Sequence, residues 1–284
     1  MNIVVCIKQV PDSAQIRVHP VTNTIMRQGV PTIINPYDLF SLEAALQLRD
    51  QVGGKVIVLT MGPPMAEDAL RKAMGIGADK AVLLTDRFFA GSDTLATSYA
   101  LSMAISKIAE TEGPIDMVFC GKQTIDGDTA QVGPGIACRL GLNQLTYITS
   151  IESLDAAKRE ITVQRRAEGG VQVLKTALPV MVTMLEGSNV VRRGSMPNVL
   201  RAAREPITIL NAAKAGIEDL TRCGLKGSPT VVKKVFAPKP RADKAKLVET
   251  ANRSHTDIAN DAVEAIFAAA PKLHTDLLGR VAQA

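Results

Sequence analysis

The sequence predicts an α/β fold: a parallel-core sheet with helices on both faces, an added antiparallel hairpin and a C-terminal helical arm. Three observations predict it. Residues 1–140 alternate short apolar runs with segments of helical spacing, the pattern of buried parallel strands joined by crossover helices. Residues 161–176 alternate apolar and polar side chains in two stretches split by Glu168-Gly169-Gly170, a hairpin signal. Lys233 to Lys246 is basic and proline-bearing, a linker by composition, and it precedes a helical tail.

In chain order, the strand-like runs are Ile3 to Lys8, Lys55 to Met61, Ala81 to Thr85 and Met117 to Cys120. Between them, Tyr37 to Gln51 sets Phe40, Ala44, Ala45 and Leu48 on one stripe. Met65 to Met74 carries Ala66, Ala69, Leu70 and Ala73, and Ser92 to Ile108 is longer and apolar. Right-handed crossovers make this a parallel sheet. Ile161 to Arg166 and Val171 to Thr176 form the hairpin and Leu178 to Met184 another strand, extending the sheet or packing on its edge. Glu186 to Pro206 has no strong period beyond a short helix over 198–203, and Cys223 to Thr230 is a turn-rich loop. In the tail, Thr256 to Arg280 reads as a helix with Ile258, Val263, Ile266, Phe267, Leu273, Leu277 and Leu278 apolar. A helix beyond a linker, with no domain of its own, docks on something, and a partner subunit is the natural candidate. The expected division is therefore residues 1–230, a nucleotide-binding domain, and 231–284, a linker and docking arm.

Composition excludes several functions. With 284 residues, 46% of them hydrophobic, the chain can bury a sizeable core. Aromatics make up 3% and tryptophan is absent, which argues against a base-stacking nucleic-acid surface. The net charge of +5 is mild. Cys6, Cys120, Cys138 and Cys223 form no CxxC pair, and His19, His255 and His274 are scattered. Neither a metal site nor a serine or cysteine triad is expected. Asn2 leads directly into a strand and no apolar run nears the ~20 residues of a membrane span, so the chain reads as soluble and cytoplasmic.

Ligands in such sheets bind beyond the strand carboxyl ends, near a switch in strand order. Four segments meet that description: Lys8 to Asp12, Asn35-Pro36-Tyr37-Asp38, Met61 to Pro64, and Gly121 to Gly133 (GKQTIDGDTAQVG). The last exceeds a simple strand-to-helix connection. Its glycines permit close backbone approach, and the helix start it leads into offers free N–H groups to a phosphate. It matches neither common glycine-rich fingerprint. Asp128 or Thr129 is the expected cap of that helix. Asp126 and Asp128 around Gly127 suit metal binding or acid–base work, and the simpler reading is a well-capped helix. Gly75-Ile76-Gly77 reads as a helix cap. Arg192, Arg193, Arg201 and Arg204 form a basic cluster that suits a protein partner better than a nucleic acid.

Further motifs carry a family resemblance. Val163 to Leu174 (VQRRAEGGVQVL) followed by Pro179-Val180-Met181-Val182-Thr183 resembles the signature of the electron transfer flavoprotein β subunit. VVCIKQVPD at the amino terminus, INPYD, GKQTIDGD and CGLKGSPT resemble that family in the same order. The resemblance covers nearly the whole chain. It implies an α/β fold paired with an α subunit carrying FAD, the heterodimer passing electrons between an acyl-CoA-type or other dehydrogenase and a quinone oxidoreductase or another acceptor. It also implies an adenine nucleotide on this chain, AMP in ordinary members and a second FAD in electron-bifurcating ones. Carried over, its contacts are Cys6; Asn35, Pro36, Tyr37 and Asp38; Met61; Gly121, Lys122, Gln123 and Thr124; Asp126, Gly127 and Asp128; and Thr129, Ala130, Gln131 and Val132. Ordinary members have a bulkier DDDCNQTG-like loop, whereas the small Gly127 and Ala130 here resemble the bifurcating group. FAD reduced by NADH is the expectation, with the flavin rather than any side chain carrying the chemistry. The alternatives are structural AMP, or a nucleotide-binding sensor of the same fold without a redox role. The family's partner-recognition loop corresponds to Val191 to Pro197, so Arg192, Arg193 and Met196 are the expected docking residues. Arg193 stands where the family has tyrosine and Met196 where it has leucine.

Overall fold

The computed structural model describes residues 1–12, 17–18, 25–26, 31–231, 247–273 and 275. The basic linker at 233–246, His19, His274, Leu277, Leu278 and Arg280 lie outside the described residues. The chain divides into two compact units, Met1–Phe236 and Ala237–Ala284.

The first unit is built on a nine-stranded sheet. Its elements begin β1 (Asn2–Cys6), β2 (Gln9–Pro11), β3 (Arg17–Val18), β4 (Ile25–Met26), β5 (Thr32–Ile34), α1 (Pro36–Val52), β6 (Lys55–Met61), α2 (Glu67–Ile76) and β7 (Lys80–Leu84). They continue with α3 (Thr94–Glu112), β8 (Met117–Gly121), α4 (Val132–Leu140), β9 (Asn143–Asp155), β10 (Glu160–Ala167), β11 (Gly170–Ala177), β12 (Val180–Met184), α5 (Met196–Arg204) and β13 (Thr208–Leu210). The order across the sheet is β11-β10-β9-β12-β8-β1-β6-β7-β13. The β9–β10 and β10–β11 pairs are antiparallel and every other pair in that sheet is parallel. The expected hairpin is thus β10–β11, and long β9 joins it to the parallel core.

The apolar runs are strands because they are buried on both faces. In β8, Met117 and Phe119 enter the core beneath α1, α2 and α5, while Val118 and Cys120 enter the core beneath α3 and α4. The first core holds Leu42, Leu46, Leu70 and Met74 with no exposed surface, each such side chain contributing about 2 kcal/mol on burial. Gly77 follows α2 at φ 143° and donates its N–H to Ala73 O, so Gly75-Ile76-Gly77 is a helix end.

Two features depart from expectation. Lys8 to Asp12 is not an open loop: its Gln9–Pro11 pairs antiparallel with Thr32–Ile34, and Gln9 Nε2 donates to Thr32 Oγ1 at 2.8 Å. In the second unit the tail helix α6 spans His255–Ala269 rather than reaching Arg280. The physical reason is Pro271, which cannot donate an intrahelical N–H and disfavours helical geometry at Ala270; residues 271–273 start a new helical turn. Among the described residues no helix is long and apolar enough to cross a membrane.

Candidate functional site

From β1 the chain moves outward through β6 and β7, then returns to place β8 on the other side of β1. The strand order therefore reverses between β1 and β8, the place where such sheets open a crevice. A cavity of about 780 Å³ lies there, bounded by Cys6 of β1, Met61 of β6 and Gly121 of β8, within the size range of cofactor sites.

The first turn of α1 forms one wall. Pro36 supplies the fixed φ suited to a helix start, and Asn35 before it makes no side-chain cap bond. Its amide turns instead to the loop after β8: Nδ2 donates to Gln123 O at 2.8 Å and Oδ1 accepts from Ile125 N–H at 3.2 Å. Asp38 accepts from Lys8 N–H at 2.7 Å and Gly121 N–H at 3.1 Å. Burial pushes its carboxyl up to about 7, against the hydrogen bonds from Asn35, Lys8 and Gly121 that favour the charged form. One buried helix turn thus fastens the ends of both central strands. Gly121 is required there: a Cβ at this position would meet the Asp38 carboxylate and stand 2.7 Å from Tyr37 Cβ.

The loop from Gly121 to Gln131 forms the second wall. Asp128 and Ala130 adopt left-handed backbone at φ 52° and 56°, so helical geometry cannot begin at Thr129. The helix α4 starts at Val132, and neither Asp128 nor Thr129 caps it; Gln131 occupies the cap position without a side-chain cap bond. That corrects the expected cap and leaves first-turn N–H groups open to an acceptor. The two carboxylates have other partners. Lys8 Nζ donates to both oxygens of Asp126 at 2.8 and 2.7 Å, and Gln123 Nε2 donates to Asp128 at 2.8 Å. Burial raises the Asp126 carboxyl, but the Lys8 ammonium outweighs it and holds the group below its ordinary value. Among the described residues no group of three histidine, cysteine or acidic side chains is placed to hold a metal.

The electron transfer flavoprotein domain matches residues 22–215. Over 277 residues the chain is 68% identical to Protein FixA of Sinorhizobium fredii, covering 98% of this chain and 97% of that one. It is 60% identical to Protein FixA of Azotobacter vinelandii, covering 99% of each. With the electron transfer flavoprotein subunit beta of Megasphaera elsdenii it shares 46% identity, covering 85% of this chain and 89% of the other. The chain belongs to the electron transfer flavoprotein β subunit family. It is accordingly an electron-transfer protein of a flavin-associated family.

Of the residues that the family resemblance singled out, Cys6, Asp38, Met61 and Gly121 to Thr124 line the cavity, as do Gly127 and Thr129 to Val132. Asn35, Pro36, Tyr37, Asp126 and Asp128 do not line it; Asn35 and Asp126 brace its walls. Lys122 Nζ sits 5.6 Å from the Tyr37 ring and 5.7 Å from the Tyr147 ring, between two π-faces. The segment after β7 was missed. Thr85, Asp86, Arg87, Phe89 and Ser92 to Thr94 complete the cavity. The third strand of a parallel sheet has a carboxyl end like the others, and Asp93 is a recognisable cap: it accepts from Leu95 and Ala96 N–H at 2.9 and 3.0 Å. The family's CGLKGSPT motif buttresses this segment. Ser228 Oγ accepts from Asp93 N–H at 2.8 Å, and Thr230 Oγ1 donates to the Asp93 carboxylate at 2.8 Å.

Of the expected docking residues, Arg192 and Arg193 lie on the strap before α5 and Met196 is the first residue of α5. Arg193 and Met196 are exposed, Met196 at 70%. Arg192 is held within the fold, its Nε 2.8 Å from the buried Glu43 carboxylate and its Nη1 2.7 Å from Asp50.

Proposed function

We propose that this chain is the β subunit of an electron-bifurcating electron transfer flavoprotein and that its cavity holds FAD by the adenine nucleotide half. The supporting observation is the cavity's reach. It runs from the uncapped start of α4, across the ends of β1 and β6, to Arg87 beyond β7. A single phosphate needs only the first of these, whereas a dinucleotide uses the whole length. The residues present fit that group. The first-turn N–H groups of α4, with the Thr124 and Thr129 hydroxyls, offer donors to a pyrophosphate. Gly127 and Ala130 keep the approach low, and Met61, Pro63 and Leu101 supply apolar surface.

In this reading FAD, when bound, supplies the redox chemistry, taking electrons from NADH and releasing them along two paths of different potential. The protein's own residues bind and orient it. Asp38 keeps β1 and β8 in register at the cradle, Lys8 and Asp126 hold the loop in place, and the segment from Thr85 to Thr94 encloses the far end. Residues 1–230 form the nucleotide-binding domain. Residues 231–284 dock on the α subunit, which carries its own FAD; no residue of α6 is buried, and Val263 and Ile266 are 47% and 54% exposed. Arg193 and Met196 face a transiently bound dehydrogenase, Met196 as an adaptable apolar plug.

The test is a cofactor count. The chain is purified with its α partner, denatured, and FAD and AMP are counted per heterodimer. Two FAD and no AMP is the expected result. One FAD with one AMP removes bifurcation from the reading, and the absence of flavin removes the electron-transfer assignment of the cavity.

A further inference from the structure

Of the chain's four cysteines, two stand side by side on the cavity wall. Strands β1 and β8 run parallel with Ile3, Val4 and Val5 opposite Met117, Val118 and Phe119, so the next pair in register is Cys6 and Cys120. Both thiols fall on the face of Val4 and Val118, in the core beneath α3 and α4. Adjacent strands lie about 4.8 Å apart, so the two side chains are neighbours across the β1–β8 pair. Both line the cavity, with 8% and 6% of their surface exposed. Cys138 is exposed and Cys223 is buried elsewhere; neither lines it.

We propose that Cys6 and Cys120 form a vicinal dithiol site for a trivalent arsenical, reached through the nucleotide cavity. The strand register sets the two cysteines side by side on one face of the sheet, and soft sulfur ligands select soft centres. Contact with Cys6 and burial push the Cys120 thiol well above its ordinary value, which makes that thiol slow in thiolate reactions such as alkylation. Arsenical exchange is not redox chemistry and needs no oxidant. With phenylarsine oxide, two S–H bonds and the As–O double bond are broken and two As–S bonds form. Both protons leave with the oxygen as one water. Because the site shares its wall with the cradle, adenine nucleotide and arsenical exclude one another; this second statement rests on the reading under Proposed function.

The experiment treats the full chain, stripped of nucleotide and free of reducing agent, with phenylarsine oxide, followed by mass spectrometry and by thiol titration in denaturant. The expected result is one phenylarsenic per chain, with titratable thiols falling from the four in the sequence to two. A dithiol such as dimercaptopropanol restores all of them and a monothiol does not. Cys6→Ser and Cys120→Ser bind the probe at least about 10-fold more weakly and surrender it to a monothiol, while Cys138→Ser behaves as wild type. Four titratable thiols in the treated wild-type chain, or an adduct lost in Cys138→Ser, overturns the dithiol site without any variant needing to fold. An adduct that forms equally with adenine nucleotide present leaves the dithiol standing and overturns the placement of the nucleotide.

Discussion

The Lys8 ammonium reaches both oxygens of the Asp126 carboxylate, at 2.8 and 2.7 Å, and so joins the segment after β1 to the long loop after β8. The two side chains are 47% and 32% exposed, so the pair itself adds less than about 1 kcal/mol to stability. Its larger effect is on the loop. Lys8→Met is expected to leave the melting temperature nearly unchanged and to weaken adenine nucleotide binding about 5-fold, equivalent to about 1 kcal/mol. Titration calorimetry reads this, and the loss should shrink as salt is raised. Equal affinities of variant and wild type at low salt contradict the bracing role.

Two glycines of the same loop should behave oppositely. A Cβ on Gly127 would meet only Thr124 Oγ1, at 3.4 Å, and Gly127 lines the cavity. Gly127→Leu is expected to cut nucleotide binding at least about 10-fold with little change in unfolding. Gly121→Ala drives its new methyl into Asp38 and Tyr37 and is expected to cost about 2 kcal/mol of stability, read by denaturant unfolding. Unchanged nucleotide affinity in Gly127→Leu means that the cradle lies elsewhere.

Asp38 predicts a pH dependence. Its carboxyl is raised by burial from an ordinary 3.8 to about 7 in the folded chain. The folded state therefore binds the proton more tightly than the unfolded one. The stability this contributes is fully present below the ordinary value and is lost as pH rises through about 7. Measured as wild type minus Asp38→Asn, unfolding free energy should fall between about pH 4 and about pH 7 and level off above. A difference that stays flat across that window rules out the raised carboxyl.

Arg192 neutralises a carboxylate that has almost no solvent: the Glu43 side chain is 4% exposed, against 31% for Arg192. Arg192→Ala is expected to destabilise by about 2 kcal/mol, below the cost of breaking a fully buried pair. Adding Glu43→Gln should recover part of the loss, and a double-mutant cycle by urea unfolding measures the coupling. Additive effects contradict the pin.

The central strands were legible because apolar runs buried on both faces look like nothing else of their length, and α1 and α3 because their periods are long. What stayed hidden was set by contacts distant in sequence or by backbone geometry. The strand β13 has three residues, two of them exposed, and leaves no pattern. Gln9–Pro11 looks like a loop until its partner Thr32–Ile34 is known. Asp128 and Thr129 have the chemistry of a helix cap, but the left-handed backbone at Asp128 and Ala130 moves the start of α4 to Val132. The lining role of Asp86 to Thr94 carries no glycine-rich motif, only the cap at Asp93. Arg192 reads as a docking cation because Glu43 is 149 residues away.

At the outer margin of the sheet, no strand of the described residues lies beyond β11, and Val171 and Val173 are 61% and 65% exposed there. A sheet edge with unpaired N–H and C=O groups and two exposed valines is adhesive toward any extended segment. The practical consequence is one of handling: produced alone and concentrated, the chain should precipitate, and a partner supplied during expression, or a lysine placed at Val173, should keep it clear.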